Sequence, residues 1–168
     1  RSVYSDRVAY QIGQAYYRME EYDRASSAYD RMIISNPGSD LVDDARNMKG
    51  MSLFKLERYQ EAITQFQSIE RSSEYADDAL YQIGTCYYNM GDFERANATY
   101  RRVMNEFPDS DRVADALSGI MDSYLSKGQV DQAISLIDDY LAKNPGGTVA
   151  DDMLLRKGDL LATLNRNE

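Results

Sequence analysis

The 168-residue chain contains no histidine and no tryptophan, and it has one cysteine and three prolines. Without histidine it lacks the commonest general base and the commonest metal ligand. A single cysteine, Cys86, excludes an internal disulfide bond and is neutral about the compartment. Because no histidine can activate Cys86, we expect a small packing residue there rather than a nucleophile. We therefore predict that the protein is not an enzyme and that it has no catalytic residue and no cofactor.

Long apolar runs and excess positive charge are also missing. No segment approaches the roughly 20 apolar residues of a membrane-spanning helix, so we expect no membrane span. The net charge is −9, and most of the excess acid lies after Tyr75. Such a surface repels a phosphate backbone, so we expect no nucleic-acid partner. Hydrophobic residues make up 43% of the chain, which is typical of a folded domain rather than a disordered one.

One phrase occurs twice, 71 residues apart, as A-Y-Q-I-G-Q-A-Y-Y-R-M-E-E-Y-D-R-A at 9–25 and L-Y-Q-I-G-T-C-Y-Y-N-M-G-D-F-E-R-A at 80–96. Weaker copies lie at 50–62 and 120–133, and a fifth begins near Gly158. Successive copies are 37, 34, 37 and 37 residues apart. A period of this length indicates an array of small repeated units.

Each copy carries the same marks: a small residue, an alanine twelve positions later and, in three copies, a proline twelve positions after that. These residues are Gly13, Gly50, Gly84, Met121 and Gly158; Ala25, Ala62, Ala96 and Ala133; and Pro37, Pro108 and Pro145. A small residue lets two helices approach closely, and a proline ends the second helix. Where Met121 replaces glycine we expect slightly looser packing, with Gly119 compensating.

Apolar residues within each copy recur at i, i+3, i+4 and i+7, and no segment reads as a strand. A helix–turn–helix unit of about 34 residues with these marks is similar to the tetratricopeptide repeat (TPR) family. The resemblance covers essentially the whole chain and implies an all-α, right-handed α-solenoid. We predict a single array of four units at about 5–38, 42–75, 76–109 and 113–146, followed by a single helix at 149–164.

Polar residues recur at the start of each predicted first helix. After each proline, the expected helix caps are Ser39 or Asp40, Ser110 or Asp111, and Thr148. Aspartates follow at Asp43 and Asp44, Asp77 and Asp78, Asp115, and Asp151 and Asp152. We interpret these carboxylates as favourable charge at helix N-termini. Calcium would need six or more converging oxygens, so we predict no metal site.

The TPR resemblance implies that the first helices line a concave face, where a partner peptide or helix lies. Residues three before, one after and four after each glycine position share one face of the first helix. With their neighbours at the margin, the predicted partner-binding residues of the first three units are Tyr10, Gln14, Tyr17, Arg18, Asn47, Met51, Phe54, Lys55, Tyr81, Thr85, Tyr88 and Asn89. We call these residues the concave stripe. Tyrosines and amides suit peptide recognition, but the same rings would also suit packing between units, and the sequence leaves both roles open.

The expected function is a non-enzymatic scaffold that binds a partner protein or peptide in the concave groove. The alternative is a structural element that forms homo-oligomers through its terminal repeats. The phrases F-P-D-S-D-R-V-A-D-A-L at 107–117 and Y-A-D-D-A-L-Y-Q-I-G at 75–84 resemble bacterial cell-envelope TPR proteins. These include the periplasmic TPR domain of the Tol–Pal system and the outer-membrane β-barrel assembly lipoprotein. That resemblance implies a role in envelope assembly or maintenance and a periplasmic or outer-membrane-associated location, while the residues themselves leave the cytoplasm open.

Overall fold

A computed structural model describes residues 3–146 and 148–165, and the regular structure in these ranges is entirely α-helical. The helices are α1 (Val3–Arg18), α2 (Tyr22–Ser35), α3 (Val42–Lys55), α4 (Tyr59–Gln67), α5 (Ala76–Asn89), α6 (Phe93–Glu106), α7 (Arg112–Ser126), α8 (Val130–Lys143) and α9 (Thr148–Asn165). The last helix was predicted at 149–164. This architecture confirms the all-α prediction.

Each helix packs chiefly against the helix before it and the helix after it in the chain. First helices of neighbouring units also touch: α1 contacts α3, and α5 contacts α7. The helices therefore form four helix–turn–helix units, from α1–α2 to α7–α8, and α9 follows as a single helix. This stack of pairs is a TPR-type α-solenoid, in which the contacts between neighbours form the core.

Close glycine–ring contacts hold the first three units together. A methyl group added at the glycine would lie 2.5 Å from a ring carbon in the first unit and 2.6 Å in the second and third. The pairs are Gly13 with Tyr29, Gly50 with Phe66, and Gly84 with Tyr100. Any side chain at these glycines would force the two helices of the unit apart.

The fourth unit replaces this contact with a different pair of residues. It has Met121 at the glycine position and Ile137 at the ring position, and both are buried in the same apolar cluster. Helices α7 and α8 make fewer close backbone approaches than the helix pairs of the first three units, which confirms the predicted looser packing of the fourth unit. The predicted compensation by Gly119 within this unit is wrong. A methyl group at Gly119 would lie 2.6 Å from the ring of Tyr100, so Gly119 makes room for the preceding unit.

The predicted helix caps are confirmed in part. The residue before α3 is Leu41, and Asp111 precedes α7 without a capping bond from its carboxylate. The hydroxyls of Ser39 and Ser110 accept the backbone N–H groups of Leu41 at 3.3 Å and Arg112 at 3.0 Å. They also bond to aspartates at the start of the previous first helix. Ser39 Oγ donates to Asp6 Oδ2 at 2.6 Å, and Ser110 Oγ donates to Asp77 Oδ2. The serines therefore join neighbouring units, and the side chain of Thr148 lies outside the described part of the chain.

The turn inside each unit contains one residue with positive φ, always at the same repeat position. These residues are Glu20 and Glu57, both at 59°, Gly91 at 76° and Gly128 at 68°. Glycine adopts this left-handed conformation freely, whereas a residue with a Cβ atom loses about 1–2 kcal/mol in it. The turns of the first two units are therefore strained, and those of the third and fourth are not.

Candidate functional site

The concave stripe lies on α1, α3 and α5, and most of its side chains are half-buried. Arg18, Lys55 and Asn89 are exposed at one margin, and Asn47 is only 9% exposed. The half-buried members are Tyr10, Gln14, Tyr17, Met51, Phe54, Tyr81, Thr85 and Tyr88. The stripe is thus a surface of partly covered rings and amides with two cations, Arg18 and Lys55, at its edge.

Each aromatic ring of the stripe contacts another ring of its own unit. The pairs are Tyr10–Tyr29 at 5.6 Å between centroids, Tyr17–Tyr22 at 5.3 Å, Phe54–Tyr59 at 5.4 Å, Tyr81–Tyr100 at 5.6 Å and Tyr88–Phe93 at 5.2 Å. Tilted and edge-on pairs of this kind stabilise by about 0.5–1.5 kcal/mol beyond area burial. These contacts fix the positions of the rings in the protein without a ligand.

Two stripe rings also reach the following unit, as expected if the stripe contributes to packing between units. The guanidinium of Arg112 lies 5.3 Å from the ring centroid of Tyr81. The hydroxyl of Tyr88 lies 3.3 Å from Ser126 Oγ. The third and fourth units are therefore joined across the stripe, while the remaining surface of these rings is available for contact.

The tyrosine hydroxyls behind the stripe differ between units. In the third unit, Tyr100 Oη donates to Thr85 Oγ1 at 3.3 Å, and burial raises the pKa of Tyr100 to about 12. Tyr29 occupies the same position in the first unit, where Gln14 replaces Thr85. Its hydroxyl is buried and has no hydrogen-bond partner among the described residues, and burial raises the pKa of Tyr29. Tyr29 therefore has an unused donor and acceptor behind the stripe.

Asn47 presents a second unpaired polar atom on the stripe. Its Oδ1 is buried and accepts no hydrogen bond within residues 3–146 and 148–165. A buried amide oxygen without a donor costs about 1–3 kcal/mol. Asn47 was predicted as an amide of the stripe, but its burial depends on how α3 packs against the neighbouring helices, which the sequence does not show. The stripe thus has a buried acceptor without a donor on α3.

Cys86 is fully buried in α5, and burial raises the pKa of its thiol to about 12. A thiol of this kind stays protonated and unreactive near neutral pH. This environment is that of the packing residue that the sequence predicted. Among the described residues, no cluster of three or more acidic or cysteine side chains could hold a metal ion.

Because the thiol of Cys86 is buried, the free energy of unfolding should fall as the pH rises above neutral. An unfolded thiol ionises near pH 9, whereas the folded thiol keeps its proton up to about pH 12. The stabilisation that the folded state gains from the protonated thiol is therefore complete below pH 9 and is lost between pH 9 and 12. At pH 10.5 this loss is about 2 kcal/mol, at roughly 1.4 kcal/mol per pH unit. Urea titrations at pH 8 and 10.5 should show a larger fall in the free energy of unfolding for the wild type than for Cys86→Ala. Equal falls in both proteins would contradict the prediction.

The fold is a TPR-type solenoid whose first helices carry a stripe of aromatic side chains. The tetratricopeptide repeat family model matches residues 78–110. A second model, described as anaphase-promoting complex, cyclosome, subunit 3, matches residues 2–69. No curated protein matches the sequence. Among the described residues, no helix is long and apolar enough to span a membrane.

Solved structures with similar folds include two that are described as TPR proteins. YrrB, described as a TPR protein with an unusual peptide-binding site, is 24% identical, with a TM-score of 0.62 over 87% of this chain and 72% of that one. MamA is 19% identical, with a TM-score of 0.68 over 92% and 81%. A tetratricopeptide repeat protein from Parabacteroides merdae ATCC 43184 is 16% identical, with a TM-score of 0.71 over 96% and 62%. At these identities the likeness shows the fold alone.

Proposed function

We propose that this protein is a non-enzymatic scaffold that holds an extended segment of a partner protein in its concave groove. The observation that carries the proposal is the buried, unpaired amide oxygen of Asn47 on the concave stripe. Because this oxygen is closed to solvent in the unbound protein, the Asn47 amide must turn toward the groove to accept a backbone N–H group of an extended peptide. A bound segment would therefore remove a free-energy cost that the unbound protein carries.

The surroundings of Asn47 fit an extended peptide. The stripe rings are fixed by their ring pairs, so little side-chain entropy is lost when a ligand covers them. The exposed cations Arg18 and Lys55 stand at equivalent positions of the first two units on an otherwise acidic chain. They favour a segment with an acidic residue at that edge. The similar structure of YrrB is described as having a peptide-binding site, which supports the same class of ligand here.

The test uses Asn47→Leu, which removes the amide but keeps the bulk. Replacing an unpaired buried polar group with an apolar one should leave stability unchanged or raise it. Peptides would be selected from a random library on immobilised wild type and measured by fluorescence anisotropy. We expect Asn47→Leu to weaken the selected peptide at least about tenfold, which is about 1.4 kcal/mol. Methylating one peptide nitrogen should cause a similar loss that does not add to that of the variant.

The matched control for this test is Ser118→Ala, at the same repeat position in the fourth unit. It lies outside the concave stripe and should leave the affinity unchanged. If no peptide is selected, or if Asn47→Leu binds the selected peptide as well as the wild type does, the groove is not the binding site.

The cellular role that we propose is envelope assembly or maintenance, at a periplasmic or outer-membrane-associated location. This part is supported only by the resemblance of the phrases at 75–84 and 107–117 to bacterial envelope TPR proteins. Fractionation of the source cells, followed by immunodetection of the protein, tests the location directly. A purely cytoplasmic signal would contradict it.

The alternative function is self-assembly through the terminal repeats. It is favoured by apolar side chains at the start of the array, where Val8 is 52% and Ile12 46% exposed. Exposed apolar clusters of this kind often mark protein contacts. Light scattering over a dilution series separates the two functions. A mass that falls on dilution supports self-assembly, whereas a constant monomer mass contradicts it.

A further inference from the structure

A cavity of about 370 Å³ opens where the second unit meets the third. Residues of α4, α5 and α6 and of the segment after α4 line it, and we call it the junction cavity. Helix α4 has 9 residues, whereas α2, α6 and α8 have 14 each, so the helix that borders the cavity is more than one turn short. The volume lies in the range of about 300–1,000 Å³ that is usual for small-molecule sites.

The floor of the junction cavity is aliphatic. Ile69, Leu80 and Ile83 line it and are 7–9% exposed. Phe107 and the ring of Tyr87 extend the apolar lining at the sides. An apolar body that enters the cavity would therefore leave water for a surface that the protein itself has not covered.

The rim of the junction cavity carries more cations than anions. Arg71, Arg95 and Arg102 line it, and Glu106 is the acidic residue among the lining side chains. Glu106 pairs with both Arg71, at 3.1 Å, and Arg102, at 2.8 Å, while Arg95 pairs with Asp92. Two carboxylates thus serve three guanidinium groups, each of which has five N–H donors. On a chain with a net charge of −9, this rim suits an anionic group.

The equivalent gap one unit earlier, between α2 and α4, is built differently. Lys49 stands there at the position of Ile83, and Asp30 at the position of Gln67. Lys49 Nζ contacts Asp30 Oδ1 at 2.5 Å, so an ion pair occupies the place of the aliphatic floor. The apolar floor and cationic rim of the junction cavity are therefore not features that every repeat shares.

We propose that the junction cavity binds an alkyl carboxylate. The alkyl chain would lie on Ile69, Leu80 and Ile83, and the carboxylate would accept hydrogen bonds from the rim arginines. Arginine suits this task because its guanidinium can donate two parallel N–H bonds to one carboxylate. The cavity shares no residue with the concave stripe, and the proposal does not depend on the function proposed for the stripe.

The probes are decanoate and decyltrimethylammonium, which have the same alkyl chain and opposite charges. Isothermal titration calorimetry would be performed with each probe below the concentration at which it forms micelles. We expect saturable binding of one decanoate per chain and at least about tenfold weaker binding of the cation. This order is opposite to the one that the overall acidity of the chain favours, so it reports on the arginine rim.

Two variants locate the binding site. Arg71→Gln/Arg102→Gln should weaken decanoate at least about tenfold, and its matched control is Arg31→Gln/Arg101→Gln, which removes the same charge outside the cavity. Ala98→Phe should also weaken decanoate, because Ala98 is exposed on α6 and a ring there fills the cavity. Its control is Ser135→Phe, at the equivalent exposed position of the fourth unit. Both controls should bind decanoate as the wild type does, and circular dichroism verifies that every variant is folded.

Three results would overturn the proposal. The first is the absence of saturable decanoate binding to the wild type, and the second is decanoate binding that both cavity variants leave unchanged. The third is tighter binding of the peptide acetyl-Ala-Leu-Leu than of decanoate at the same site, which would make the C-terminus of a partner protein the occupant. Asn47→Leu should bind decanoate normally, so failure of this proposal and failure of the proposed function are distinguishable.

Discussion

Replacing Gly84 with alanine is expected to lower the free energy of unfolding by about 2 kcal/mol, although alanine is the better helix former. Alanine gains about 1 kcal/mol in helix propensity, but overpacking a filled core costs about 1–3 kcal/mol and sometimes more. The cost is high here because the ring of Tyr100 lies 2.6 Å from a methyl group at Gly84 and also 2.6 Å from one at Gly119. The ring cannot move away from one helix without striking the other.

The matched control for Gly84→Ala is Gly158→Ala, which makes the same change on a first helix without a ring above it. That variant should be more stable than the wild type by up to about 1 kcal/mol, since only the propensity gain applies. Urea titrations followed by circular dichroism measure both. If the two variants change stability in the same direction, the ring of Tyr100 is not confined as the structure indicates.

Replacing Phe66 with alanine is expected to have the largest effect, a loss of about 3–5 kcal/mol. Phe66 is 2% exposed, and its ring fills the space beside Gly50, which has no side chain to occupy a cavity. It also lies in the middle of three apolar clusters along the array, with one cluster on each side. In a solenoid each unit contacts only its neighbours, so weakening a central unit separates the two halves.

For this reason, thermal unfolding of Phe66→Ala should change from one transition to two, as measured by calorimetry together with circular dichroism. The control is Ile34→Ala, at a position that is 71% exposed, and it should change stability by no more than about 0.5 kcal/mol. A single transition with a loss below about 1 kcal/mol would mean that the central unit does not couple the halves.

The helices and their pairing were predictable because the signals that specify them are local. Gly13 and Ala25 recur at fixed spacing in the other units, and that spacing defines the helix–turn–helix unit without knowledge of distant contacts. The serine contacts were not predictable in this way. Ser39 has the usual sequence context of a helix cap and accepts the backbone N–H of Leu41, but its hydroxyl also donates to Asp6, 33 residues earlier. That bond depends on the displacement between neighbouring units, which no short sequence window contains.

The concave stripe was predicted only in part. Its residues lie on the expected helices, but Asn47 is buried and every aromatic ring contacts another ring. A signal for three of these contacts was present in the sequence, since Tyr17, Phe54 and Tyr88 are each followed five residues later by an aromatic residue. Whether the stripe binds a partner stays a prediction, because the spacing of the rings does not determine whether a ligand binds.

The left-handed turns imply that local stability differs along the array. Glu20 and Glu57 each carry about 1–2 kcal/mol of backbone strain that the glycines of the later turns avoid. Strain of this size lowers the free energy of local opening, so the first two units should open more often than the third. The same two units contain Asn47 and the unpaired hydroxyl of Tyr29. A ligand that binds only the closed groove would oppose this opening. Its binding would therefore raise the free energy of local opening in the first two units.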